Sequence, residues 1–329
     1  MPSDQFPSYR ELGDRSGALR GTAWGLFGEG DQVGTLNFLT SERVRAALGS
    51  VRKGLLLNLN LPLDAFDPPL IAHRGAIEHH VFGLNEFHRD ERIDNLFTQA
   101  STQIDGLRHF AHPDHGFYNG VPGDRLIAGT GDLGIQAVAQ RGIVGRGVLA
   151  DVARYRDAAG RPIEQDSPEP IPVSDLTATL REQGTTLLHG DILLIRTGWL
   201  EHIRRAGATR ADPLASPGLA AQEETAAWLW DNQIALVAAD NIALEPWPAT
   251  ESALTTIAEQ TGRLARSSHT GMLHRILIPL LGLSIGELWD LDALATECAG
   301  SGHYDFLVTA EPLNLTGGVG SPANALAIV

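Results

Sequence analysis

Four short apolar runs constrain the fold more than any other feature of this chain. They are Gly142 to Val152 (Gly-Ile-Val-Gly-Arg-Gly-Val-Leu-Ala-Asp-Val), Asp191 to Arg196, Ile234 to Ala238, and Tyr304 to Thr309. Each is rich in Val, Ile and Leu, as strands covered on both faces are. Helix-like segments alternate with them. Ser174 to Glu182 opens on a Ser that can cap a first turn followed by acidic residues. Leu219 to Asn232 is rich in Ala and Glu with apolar residues at helical spacing, and Gly271 to Leu281 reads as a helix that Pro279 disturbs near its end. The alternation predicts an α/β fold with a mixed sheet and flanking helices.

The chain has 329 residues, 43% hydrophobic and 20% charged, the balance of an ordered globular protein. No internal repeat or low-complexity tract divides it. Proline-rich stretches at Asp64–Pro69 and Asp157–Pro172 break regular structure. The strand-like runs flanking Asp157–Pro172 are of the same kind, so this stretch reads as a surface loop. The expectation is one domain over residues 1–329, with roughly the first 40 residues as an extension packed on it. A net charge of −15 disfavours nucleic acid and anionic membranes as partners. No apolar run reaches the length of a membrane span, and Met1 to Gly25 lacks the apolar core of a secretion signal. The single cysteine, Cys298, excludes an intrachain disulfide and a thiolate metal cage. The composition suits the cytoplasm.

The chemistry concentrates in residues 99–115. Gln99, Ser101, Gln103 and Asp105 share one parity, so an extended chain presents them on one face. Such a face must meet water, a ligand or a metal, because burying it unsatisfied is costly. Gly106 then permits a turn, and His109, His112 and His115 follow. On pattern alone, a solvated edge strand running into a polar loop is the commoner explanation.

The segment resembles a known signature. Gln99-Ala-Ser-Thr-Gln103-Ile-Asp105-Gly-Leu-Arg-His109 is similar to His-x-Gly-Thr-His-x-Asp-x-Pro-x-His, the signature of the cyclase family, which includes kynurenine formamidases and isatin hydrolases. The Thr, the Asp and the last His match in register. Both leading histidines are glutamine here, and the Pro is Leu107. Trp24-Gly-Leu-Phe-Gly-Glu-Gly-Asp-Gln-Val-Gly-Thr-Leu-Asn37, Gly190-Asp-Ile-Leu-Leu-Ile-Arg-Thr-Gly-Trp199 and Leu313-Asn-Leu-Thr-Gly-Gly-Val-Gly-Ser-Pro322 resemble the same family. The resemblance implies a swivelling β/β/α domain and a homo-oligomer, a dimer or a tetramer. It also implies a two-metal site in which the leading histidines and the Asp hold one ion. The Asp, a later His and a Glu, matched by His274 and Glu287, hold the other. The last signature His, here His109, is the acid/base.

The two glutamines alter that site. An amide oxygen is a weaker ligand than imidazole for Zn²⁺ and suits harder ions. The first expectation is one divalent ion, Mn²⁺ ahead of Zn²⁺, held by Asp105, His274 and Glu287 with Gln103 and Gln99 beside it. A transition metal on the His274 side alone comes next, and loss of metal third. The expected reaction is hydrolysis of a C–N bond, amide or lactam, in a small cyclic or aryl substrate. Metal-activated water attacks, His109 is acid/base, and Gln99, Ser101 and Gln103 bind substrate or donate to the oxyanion. The alternatives are a metal-independent lactonase, dehydratase or cyclase using Asp105 and His109, and a ligand-binding descendant without catalysis.

Other residues carry weaker signals. His269 lies five positions before His274, too far round a helix to share an ion from one face. His79 and His80 point to opposite faces of a strand. Asp240 to Glu245 follows a buried strand, where ligand-facing residues and plain polar turns are equally expected. Trp24 and Phe27 suit core packing better than a pocket wall. Gly317 to Gly320 reads as a turn. Ser101 and Cys298 lack a paired base, which argues against a nucleophilic triad.

Overall fold

A computed structural model describes residues 6–71, 73–206, 214–249, 254–267 and 269–329; residues 1–5 of the expected N-terminal extension lie outside the described residues. Thirteen strands are described: β1 (Leu56–Asn58), β2 (Glu78–Asn85), β3 (His88–Asp94), β4 (Gln103–Asp105), β5 (Ile143–Asp151), β6 (Pro170–Ile171), β7 (Ile192–Arg196), β8 (Gly218–Leu219), β9 (Leu236–Ala239), β10 (Ile285–Glu287), β11 (Asp305–Ala310), β12 (Gly320–Pro322) and β13 (Ala325–Ile328). Nine form one mixed sheet in the order β1-β13-β11-β5-β7-β9-β10-β4-β12. Its centre, β5-β7-β9-β10, is parallel, and the strands added on both sides are antiparallel. All four apolar runs are strands of this sheet. Every residue of β7 and β9 is buried, so Ile192 to Ile195 and Leu236 to Ala239 face helices or loops on both sides.

The helices over the sheet bury one stripe each. Val173–Glu182 covers Val173, Leu176, Thr179 and Leu180. Glu223–Asp231 covers Thr225, Ala226, Leu229 and Trp230. These are the i, i+3, i+4 spacings of a one-sided helix. The expected helix over Leu219 to Asn232 begins later, because Gly218–Leu219 pairs with Pro170–Ile171 as a short parallel ribbon. The expected helix over Gly271 to Leu281 is corrected more strongly: only His274–Leu277 is α-helical, with turns on either side. Its first turn has no side-chain cap, and Pro279 cannot continue the ladder, so packing rather than propensity shapes this stretch.

The N-terminal segment lies against the body of the molecule. Leu12 and Leu36 are fully buried, and Phe6, Phe27, Phe38 and Trp230 form an aromatic cluster with ring centroids 5.0–6.4 Å apart. Gly34, at φ +57°, sits so close to Gly282 that a Cβ there would lie 1.9 Å from the Gly282 carbonyl oxygen, which only glycine permits. Trp24 is core as well, with Nε1 donating to the Pro279 carbonyl at 2.7 Å. In contrast, β2 and β3 form a separate two-stranded hairpin that is exposed almost throughout. Among the described residues no helix is long and apolar enough to cross a membrane.

Candidate active site

Strand β4 decides where the chemistry sits. Its three residues are all buried, and it pairs on one side with β10 and on the other with β12. The solvated edge strand suggested by pattern alone is therefore corrected: the polar face is interior and looks onto other polar groups. Ile104 packs in the core, leaving Gln103 and Asp105 on the opposite face. Register places Glu287 directly across from Gln103. The Gln103 amide Nε2 donates to Glu287 Oε2.

Around Asp105 four further segments converge. Gln99 reaches it by a turn rather than along a strand: its Nε2 donates to Asp105 Oδ1 and lies 3.3 Å from each ring nitrogen of His109. The turn at Gly106, whose N–H donates to the Val319 carbonyl at 3.0 Å, brings His109 back over Asp105, Nε2 to Oδ2 3.8 Å. His274, at the start of its single helical turn, presents Nε2 at 3.1 Å from Glu287 Oε1 and 3.5 Å from Asp105 Oδ2. Its Nδ1 lies 2.8 Å from Glu245 Oε1. Arg74 donates to the Gln99 carbonyl. Phe110 packs beside both imidazoles, its ring centroid 5.0 Å from that of His109 and 5.2 Å from that of His274.

Of the residues singled out from sequence, Gln99, Gln103, Asp105, His109, His274 and Glu287 share one cluster. Ser101 does not join it, since its hydroxyl donates to the Pro62 carbonyl at 2.7 Å. Cys298 lies in the helix Asp292–Ser301, where burial pushes its thiol up to about 12. Two members carry little signal in the sequence. Glu245 ends a polar stretch that suits a turn as well as a site, and its fully buried position in a loop after β9 does not follow from spacing. Arg74 lies in a Pro- and Gly-flanked loop with no periodic signal.

The charges explain one another. Asp105, Glu245 and Glu287 are three buried carboxylates around one buried imidazole. Burial works against the charge on His274, but Glu245, Asp105 and Glu287 outweigh it and hold the imidazole well above its ordinary value. Burial, with Asp105 next in weight, pushes Glu287 up to about 7. Asp105 lies below the ordinary carboxylate range because His109, His274 and Gln99 overcome its burial. His109 is lowered, chiefly by burial and against the pull of Asp105. It is therefore neutral at neutral pH, with 22% of its side chain exposed.

The donor set fits a divalent cation. Asp105, His109 and His274 each offer a ligand atom within 4.8 Å of the others. Ligands about 2.0–2.2 Å from one ion stand roughly 3.0–3.6 Å apart, the range found between His274 Nε2 and the Glu287 and Asp105 oxygens. Asp105 Oδ2 and Gln103 Oε1 are buried without a hydrogen-bond partner, a costly state unless something else meets them. With His109 left free of the ion, the remaining donors are one nitrogen among oxygens, a set that suits Mn²⁺ and Mg²⁺ and admits Zn²⁺. A second group, Glu78, His80 and Asp94, lies on the hairpin among exposed acids.

Titratable groups gathered at the ends of β9, β10 and β4, beside a parallel sheet centre, define a buried acid/base centre of the kind α/β folds place beyond their strand termini. Residues 57–246 match the model of the Cyclase family, described as "Putative cyclase". The chain belongs to the cyclase family. A crystal structure of a novel cyclase is 31% identical, covers 94% of this chain and 99% of its own, and superposes with a TM-score of 0.78. Isatin hydrolase A from Labrenzia aggregata, bound to benzyl benzoate, is 16% identical over 86% of this chain and 95% of its own, TM-score 0.58. Isatin hydrolase A from Ralstonia solanacearum is 16% identical over 88% and 97%, TM-score 0.53. These last two share the fold. No curated protein matches the chain.

Proposed function

We propose that this protein is a hydrolase that opens the C–N bond of an amide or lactam in a small cyclic or aryl substrate. The observation that carries the reading is the division of labour around Asp105. On one side His274 Nε2 lies 3.5 Å from its buried Oδ2 and 3.1 Å from Glu287 Oε1. On the other, partly exposed His109 stands neutral above it.

Asp105, His274 and Glu287 would hold a divalent ion, with Gln103 Oε1 beside them. Such an ion supplies Lewis acidity, lowering the pKa of a water and polarising a carbonyl. His109 takes the proton as water adds to the substrate carbonyl, then returns it to the nitrogen as the C–N bond breaks. Gln99 holds His109 in place, since its amide Nε2 is shared between Asp105 and the ring. Phe110 and His269, with ring centroids 5.7 Å apart, and Trp247, 6.1 Å from His269, supply an aromatic wall for an aryl group. The isatin hydrolases of the same fold act, by name, on a bicyclic lactam, which supports this substrate class. The expected homo-oligomer has a candidate surface in the exposed Val81, Phe82, Leu84, Phe87 and Ile93 of the hairpin.

The test is turnover of formyl-anilides and isatin-like lactams by protein of known metal content. We expect bound divalent metal, loss of turnover on chelation with recovery on Mn²⁺ addition, and loss in Asp105→Ala. Metal-free protein whose turnover survives both Asp105→Ala and His109→Ala would sink the proposal. A second reading, acid/base catalysis without metal by a lactonase, dehydratase or cyclase, draws support from His274 and Glu287. Their raised values let protons balance the buried charge. Elemental analysis of active protein separates the two.

A further inference from the structure

Glu245 is fully buried and grips His274 twice, yet nothing in the proposed reaction uses it. Its Oε1 accepts from the His274 backbone N–H at 3.3 Å and lies 2.8 Å from Nδ1. Oε1 already accepts from that backbone N–H, and the short contact to the ring is a second hydrogen bond to the same oxygen when Nδ1 carries the hydrogen. The other nitrogen, Nε2, is then the one that faces Asp105 Oδ2 and Glu287 Oε1.

The loop around Glu245 is built to hold it there. Leu244 adopts φ +58°, a conformation that costs a non-glycine residue free energy and persists where its surroundings enforce it. Asn241 Nδ2 donates to the Pro217 carbonyl at 2.7 Å and to the carbonyls of Leu244 and Glu245 at 3.2 and 3.3 Å. Gly218 presses so near that a Cβ on it would meet the Glu245 carbonyl carbon at 2.3 Å. The loop 241–245 and the segment 217–218 thus fix the backbone from which the carboxylate meets the ring nitrogen.

We infer that Glu245 is the positioning residue of the site: it sets the ring angle and the Nδ1–H form of His274, so that Nε2 alone is presented to the centre formed with Asp105 and Glu287. Outer carboxylates that accept from a ligating imidazole fix its tautomer and raise its basicity. The role rests on the proposed metal site only for its effect on affinity. The ring orientation stands on geometry.

The experiment uses the full chain with ¹⁵N-labelled histidine, and Zn²⁺ as the probe ion. In the wild type a His274 Nδ1–H, identified by its disappearance in His274→Asn, should exchange slowly with solvent before and after Zn²⁺ is added. Glu245→Ala should abolish that protection and weaken Zn²⁺ binding about tenfold to a hundredfold. Glu245→Gln, whose amide oxygen still accepts, should keep the signal and most of the affinity. A Glu245→Ala protein with a protected Nδ1–H and wild-type affinity overturns the inference. So does a Glu245→Gln protein that melts like wild type but has lost both. Should Glu245→Ala fail to fold, Glu245→Asp takes its place: one methylene shorter, it must lose the signal that Gln retains. If wild type binds no Zn²⁺ while the Nδ1–H signal is present and depends on Glu245, the metal reading falls and the positioning role stands.

Discussion

His109 is where the buried cluster meets solvent. Its ring is held by Gln99 and faces Asp105, yet the loss of hydration keeps its pKa below the ordinary imidazole value of 6.5. A base must be unprotonated to act, so activity should persist as pH falls past 6.5 and fail only below it. The pH profile of kcat/KM measures this, and an acid limb at or above 6.5 would contradict it. His109→Asn should lower kcat by roughly 10²–10⁴ while the far-ultraviolet spectrum and melting temperature stay near wild type. Asp105 and His109 were legible through the register of the family signature; parity alone favoured a solvated edge strand, and only Gln103 to Asp105 is strand. Gln99 kept its place in the cluster by another route, since the chain from 98 to 102 turns instead of extending. Glu245 and Arg74 were not legible as members, because long-range contacts, not local spacing, put them there.

At the scale of the element, the single turn His274–Leu277 needs an anchor, being too short to stand alone. Arg275 supplies it. The guanidinium donates to Glu259 Oε1, which also accepts from Thr270 Oγ1 at 2.7 Å, while Glu259 Oε2 accepts from the Thr256 N–H at 3.0 Å. Burial raises the Glu259 carboxyl, but Arg275, Thr270 and Thr256 outweigh it and hold the group at about 2. A carboxyl lowered by folding stabilises above its unfolded value, here near 4.5, and that contribution disappears as pH falls through about 2. Glu259→Gln should therefore lower stability at pH 7, by at most about 3 kcal/mol and less as solvent screens the pair, and its deficit against wild type should shrink between about pH 4.5 and 2. Chemical denaturation of both proteins across that range is the check, and a constant deficit would refute the assignment. The central strands were readable since β5, β7 and β9 are continuous apolar runs. Strands β10, β12 and β1 were not. Each is three residues long and carries Gly, Pro or polar side chains, so only their partners make them strands.

For the whole molecule, the buried carboxylates Asp105, Glu245 and Glu287 make the folded state a better ligand for cations than the unfolded chain. A divalent ion present at one hundred times its dissociation constant should then add about 2.7 kcal/mol to stability. Thermal melting with and without Mn²⁺ tests this, and the shift should vanish in Asp105→Ala. Equal shifts in the two proteins would place the ion elsewhere, the Glu78, His80 and Asp94 group being the alternative address.

The order of the large sheet sets a schedule for how the centre comes into being. β12 and β13 are separated by only two residues in sequence, yet they close opposite flanks: β13 joins β1 to β11, and β12 covers β4. While the chain is being synthesised from its N-terminus, β4 has neither of its neighbours until residues 285–287 and then 320–322 have emerged. Until the first of these emerges, the polar strand that carries Asp105 has no partner on either side. Both neighbours are non-local, and pairings of that kind form slowly. A chain halted before residue 320 leaves the sheet unfinished on both sides at once, with β4 short of β12 and both β1 and β11 short of β13.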